Sequence, residues 1–183
     1  MLNRLLFSAA ALALSSGVAQ ADYTLTILHT NDFHARFEPI SKYDSGCSEE
    51  DNMEGKCFGG SARLVTAVEA AKARTNNYIL VDGGDQFQGT LFYTYYKGQL
   101  AAEMMNKLGY DAMTVGNHEF DDGPEVLKGF MDAVNFPVLM SNADVSGEPL
   151  LADKLATLQW WEMVVYTNPI IHRENAPSMP ALR

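Results

Sequence analysis

The chain has 183 residues and carries 13 Lys and Arg against 23 Asp and Glu, a formal net charge of −10 at pH 7. That length suits one domain, and an acidic balance argues against nucleic-acid or anionic-membrane binding, which needs a basic patch. An anionic small-molecule substrate stays open, because a bound dication reverses the local field.

The first 21 residues read as a secretory signal. Arg4 supplies a positive start, Leu5–Leu14 a short apolar run, and Ala19-Gln20-Ala21 an A-x-A cleavage site. The run is too short to span a bilayer, which takes about 20 residues. The expectation is an exported product, periplasmic or extracellular, beginning at Asp22 and without stable membrane insertion. Loss of Arg4 takes its net charge from −10 to −11.

Tyr23–Leu28 alternates and is rich in β-branched and aromatic residues, which predicts a strand. It runs into His29-Thr30-Asn31-Asp32-Phe33-His34. Asp32 and His34 are two apart, so extended backbone would point both side chains to one side, where they can share a metal. His29 reads as a strand-end residue bonded locally. Residues 35–58 read as one long loop. Its acidic cluster, Glu49, Glu50, Asp51 and Glu54, lacks the alternating ligands and central glycine of a calcium loop and reads as solvated. Cys47 and Cys57 lie ten apart in it, a spacing that reads as a disulfide closing a surface loop. Thiolate ligation of zinc would need two more Cys or His nearby, and none follow.

Gly59-Gly60-Ser61 then opens a helix over Ala62–Arg74, with Leu64, Val65, Val68 and Ala71 on one face and Ser61 as N-cap. Two glycines before a helix can also cradle phosphate. Tyr78–Val81 is the second strand, and Asp82-Gly83-Gly84-Asp85 follows it. A carboxylate among glycines lets backbone approach a metal closely, since no Cβ intervenes; a turn with two solvated aspartates is the alternative. Lys97–Leu108 is the next helix, stopped by Gly109, with methionines as core filler. Met113-Thr114-Val115 ends a third strand that breaks at Gly116 and delivers Asn117, His118, Glu119 and Asp121. A helix over Pro124–Val134 and a strand over Pro137–Met140 complete a β-α-β-α-β-α-β rhythm, which predicts a parallel α/β sheet. After Ala156 the pattern degrades. Trp160–Tyr166 can form a strand, but Thr167–Arg183 has three prolines and no period, so 157–183 reads as an atypical tail on a shortened domain.

Asp32, His34, Asp85 and Asn117 are therefore hard donors at three successive strand ends, where parallel sheets place their sites. The set suits two dications bridged by Asp85, a pair that clamps phosphate, makes hydroxide and stabilises the leaving oxygen. His118 would face the phosphoryl group, with Asp121 orienting its ring and keeping it protonated. Oxygen-rich ligands with one or two imidazoles suit manganese, zinc, magnesium, cobalt or iron alike.

In this order the stretches LHTNDFHARFE, GGSARL, DGGDQFQGTLFYTYYKG, YDAMTVGNHEFDDG and FPVLMSNAD resemble the metal-dependent 5′-nucleotidases of the calcineurin-like phosphoesterase superfamily. The resemblance covers Tyr23 to Ala156 and extends to the cysteine pair, which looks like the disulfide loop of ecto-5′-nucleotidases. It implies one part of an α/β/β/α sandwich, residues 22–156, in a phosphohydrolase that releases phosphate from nucleoside 5′-monophosphates. By position Asp32, His34 and Asp85 would hold one metal and Asp85 and Asn117 the other, with His118 and Asp121 as the catalytic pair. The family adds downstream histidines, including a GHxH segment, and a C-terminal domain that stacks the base. The only later histidine here, His172, sits in IIHRE and matches neither. Weak metal binding and little turnover are the expectation for this form. A 2′,3′-cyclic nucleotide or nucleotide-sugar ester, or an inactive metal- or nucleotide-binding fragment, are the competing readings.

Overall fold

The residues that build the sheet are short apolar runs that pair edge to edge. In a computed structural model, which describes residues 23–152, 154 and 155, four strands pair in parallel in the order β1-β2-β3-β4. They are β1 (Thr26–Thr30), β2 (Tyr78–Asp82), β3 (Ala112–Thr114) and β4 (Val138–Leu139). The expected signal segment, Trp160–Tyr166, His172 and the expected tail from 157 lie outside the described residues. Among the described residues no helix is long and apolar enough to cross a membrane.

Register follows side-chain chemistry. Leu28 pairs with Leu80, Asp82 with Met113, and Met113 with Val138. Leu80, Met113 and Val138 are buried on the face covered by α4 (Gln99–Leu108) and α5 (Pro124–Ala133), against Met105, Leu108, Leu127, Phe130 and Met131. On β1 the alternate residues Ile27 and His29 are exposed. Parallel pairing puts every strand's carboxyl end on one edge of the sheet. All three loops that carry candidate ligands leave from that edge.

The helix signals hold where local chemistry dictates them. Pro124 stands at the first turn of α5, and Gly109 ends α4 in the left-handed region (φ 70°), its amide donating to the Met105 carbonyl at 3.0 Å. The Cys47–Cys57 disulfide is formed, with Cα atoms 6.0 Å apart.

Five expectations need correction. The first strand starts at Thr26, where pairing with Tyr78 begins, and not at Tyr23, which is exposed. The 35–58 loop contains a helical turn, α1 (Glu49–Met53); the Ser48 hydroxyl accepts from the Asp51 amide at 3.1 Å, and three acidic residues fill the first turn. α2 (Ser61–Lys72) is capped by Gly60 and not by Ser61, whose hydroxyl donates instead to the Phe37 carbonyl at 3.0 Å. Val65 on α2 is exposed, while Val68 alone of its expected stripe is fully buried. The aromatic run Leu91–Tyr96 forms a separate helix, α3, and Lys97, expected to begin the next helix, ends this one at φ 52°. Aromatic residues are indifferent helix formers, but Phe87 packs on Tyr93 and Phe37 on Phe92, which fixes the turn from outside.

Candidate metal centre

The loop after β1 does not run extended. Asp32, His34 and Ala35 have φ of 54°, 49° and 49°, so the two-residue alternation is the wrong reason for Asp32 and His34 to meet. They meet by a left-handed turn. Its amides at Asp32, His34 and Ala35 donate to the carbonyls of Gly84, Asp85 and Gln86 at 2.9, 3.0 and 3.1 Å. Asp32 Oδ1 then lies 3.7 Å from His34 Nε2. His34 Nδ1 donates to the Phe87 carbonyl at 2.9 Å, since a carbonyl only accepts. That leaves the Nε2 lone pair for a ligand, the usual arrangement of a metal-binding histidine.

After β2, Asp85 is also left-handed (φ 57°). Non-glycine residues held there at three candidate ligand positions are the kind of backbone strain that collects at functional sites. The glycines at 84 and 116 are required by close contact between two loops. A Cβ on Gly84 would lie 2.3 Å from the Gly116 nitrogen, and one on Gly116 would lie 2.1 Å from Asp85 Oδ1. They let the loops after β2 and β3 pack on each other. Asp82, the neighbouring carboxylate, is buried rather than solvated. It accepts from the Thr30 hydroxyl, the Gly84 amide and Gln86 Nε2 at 2.5, 2.9 and 3.0 Å. Burial pushes its carboxyl above the ordinary value, against those hydrogen bonds.

After β3 the chain turns through a 3₁₀ segment, His118–Phe120. The His118 amide donates to Asp85 Oδ1 at 3.0 Å, and its Nδ1 pairs with Asp121 Oδ2 at 2.7 Å. The hydrogen bond to Asp121 raises the His118 pKa above its ordinary 6.5, with smaller help from the charges of Asp121, Asp85 and Glu119. The rings of His34 and His118 meet edge to face with centroids 5.1 Å apart.

The three loops bring one ligand atom each from His34, Asp85 and His118 within 4.8 Å of one another, at a half-buried place. Two imidazoles and a carboxylate at that spacing fit a divalent cation. Asp32 stands beside this group through His34, at the exposed rim. Asn117 heads the 3₁₀ turn immediately before His118, with its side chain exposed. Asp121 touches the group only through the His118 ring. Sequence reasoning assigned no part to Glu119, which is fully buried and accepts hydrogen bonds from both the β2 and β3 loops. Its one signal was its place inside GNHEFD, beside His118. The Phe87 carbonyl, a backbone group, left no trace in the sequence.

Residues 25–173 match the family model described as calcineurin-like phosphoesterase. The 5′-nucleotidase of Bos taurus is 45% identical over 141 residues, covering 76% of this chain and 24% of its own length. Among solved structures, the 5′-nucleotidase precursor from Thermus thermophilus superposes with a TM-score of 0.63 at 40% identity, over 73% of this chain and 25% of that one. The NAD nucleotidase of Haemophilus influenzae gives a TM-score of 0.57 at 28% identity, over 72% and 23%. The chain spans about a quarter of the length of the curated relatives it matches.

Proposed function

Since the chain belongs to the calcineurin-like phosphoesterase family, we propose that it carries metal-binding and catalytic residues of a phosphohydrolase of 5′-nucleotidase type, acting on nucleoside 5′-monophosphates. The observation that carries the reading is the convergence of His34, Asp85 and His118 within 4.8 Å, each from a different strand end. Residues 22–156 are the N-terminal part of the phosphoesterase domain, and the leader-like first 21 residues direct export to the periplasm or the exterior. Likeness to 5′-nucleotidases at 45% and 40% identity supports the substrate class.

Asp32, His34 and Asp85 would hold one divalent cation and Asp85 and Asn117 a second, manganese, zinc, magnesium or cobalt. When bound, such ions supply Lewis acidity toward a phosphoryl oxygen and lower the pKa of water. The protein's own residues do the rest. The Phe87 carbonyl keeps the His34 proton on Nδ1, so the ring offers Nε2. Asp121 holds a proton on His118 Nδ1 and favours the imidazolium, so of the three converging residues His34 and Asp85 are read as ligands and His118 as a non-ligating cation beside them that stabilises charge growing on a phosphoryl oxygen.

Manganese titration of the purified chain by calorimetry, with phosphate release from AMP measured in parallel, tests the proposal. Binding that disappears in Asp85→Asn, and slow AMP turnover that EDTA abolishes, are expected. Manganese binding unchanged in Asp85→Asn, or turnover indifferent to EDTA, would overturn it.

A further inference from the structure

A side chain that offers no ligand atom links the loops that carry the ligands. Glu119 has no exposed surface. An ionised carboxylate has about four acceptor sites, and four backbone amides converge on this one. Oε2 accepts from Asp85 and Gly116 at 2.9 and 2.6 Å, and Oε1 accepts from Gln86 and Phe87 at 2.8 and 3.2 Å. Three of these donors are consecutive residues of the β2 loop, beginning at the ligand Asp85 itself. The fourth is the residue before Asn117 and His118. The β1 loop is reached at second hand, because Phe87, gripped through its amide, holds His34 Nδ1 through its carbonyl.

We propose that Glu119 is a positioning residue of the metal centre, a buried carboxylate that clamps the loops after β2 and β3 and, through Phe87, orients His34. This rests on the reading of Asp32, His34, Asp85 and Asn117 as metal ligands. The arrangement explains why an acid is needed. Gln in its place would keep one acceptor oxygen and turn an NH₂ toward two amide donors, so two of the four hydrogen bonds would fail. It also explains how the left-handed turn at Asp85 persists: its own amide and the next two are all held by one carboxylate. A ligand set fixed in this way meets the ion already assembled. Loss of such outer partners of ligands costs about 10–100-fold in metal affinity.

A purely structural role predicts something different: loss of stability with affinity falling no further than in any equally destabilised variant. Leu127→Ala supplies that comparison, since Leu127 is fully buried in the helical layer. The experiment is manganese calorimetry on the whole chain, Glu119→Gln and Leu127→Ala, with NMR hydrogen exchange on the same three proteins. Glu119→Gln is expected to bind manganese about 10–100-fold more weakly, with faster exchange at the Asp85, Gln86, Phe87 and Gly116 amides and unchanged exchange in β2. Leu127→Ala is expected to keep its affinity. Equal affinity in Glu119→Gln and the parent, equal losses in both variants, or retained protection of the four amides would overturn the proposal. Absence of manganese binding by the parent chain would overturn the metal centre itself and Glu119's role with it. If Glu119→Gln does not fold, Glu119→Asp, one methylene too short to reach both loops, is measured the same way, and parent-like affinity there overturns the proposal.

Discussion

Replacing Gly84 with alanine tests whether the two ligand loops pack together only because a methyl group is missing between them. The added Cβ would lie 2.3 Å from the Gly116 nitrogen, 2.8 Å from the Val115 carbonyl carbon and 2.9 Å from the Gly116 Cα, all backbone atoms. Relief to even 3.0 Å requires the loops to separate by at least 0.7 Å. No side-chain rotation can supply that. Gly84 also has φ 92°, where an L side chain is strained by about 1–2 kcal/mol. Forced repacking adds about 1–3 kcal/mol. The expected loss is about 2–5 kcal/mol, read as a shift in the urea midpoint at constant slope. Because His118 N bonds Asp85 Oδ1 across this contact, manganese affinity should fall with it. Gly46→Ala is the control, having no atom within 4 Å of an added Cβ, and should stay within about 0.5 kcal/mol of the parent. A Gly84→Ala protein equally close to the parent would refute the loop-contact argument.

Three further outcomes are expected. In metal-free protein, NMR titration should place His118 above 6.5, and Asp121→Asn should bring it down. Its native pKa is raised, so the contribution of the His118–Asp121 pair to stability is full below 6.5 and is lost as pH rises through the native value. Asn106→Ala should cost about 1–3 kcal/mol in chemical denaturation while sparing metal affinity, because Asn106 donates to the Ala133 carbonyl and accepts from the Asn135 amide, both at 2.8 Å and both remote from the ligands. Mutating both Cys47 and Cys57 to serine should lower stability by up to about 2.7 kcal/mol on the chain-entropy model, and parent-like denaturation would show the loop to be already constrained without the disulfide.

The sequence by itself determined the parallel α/β rhythm, the helix stop at Gly109 and the helix start at Pro124, the Cys47–Cys57 pair and the residue types at three strand ends. These are carried by local periodicity, by the fixed φ of proline and the freedom of glycine, and by short cysteine spacing, all of which act within about a dozen residues. Boundaries that depend on a partner were less legible. β1 begins where Tyr78 is available to pair, and α3 forms because Phe87 and Phe37 pack against it. The tertiary structure alone decided how the donors meet. Asp32 and His34 converge through left-handed turns whose amides are held by the next loop, a conformation that their own side chains disfavour. Gly84 and Gly116 matter because 32 positions of separation close to van der Waals contact. Glu119 reaches the Asp85 amide across 34 positions of sequence. A carboxylate's partners at that distance are set by which loops the sheet edge brings together, and no local pattern in the chain encodes them.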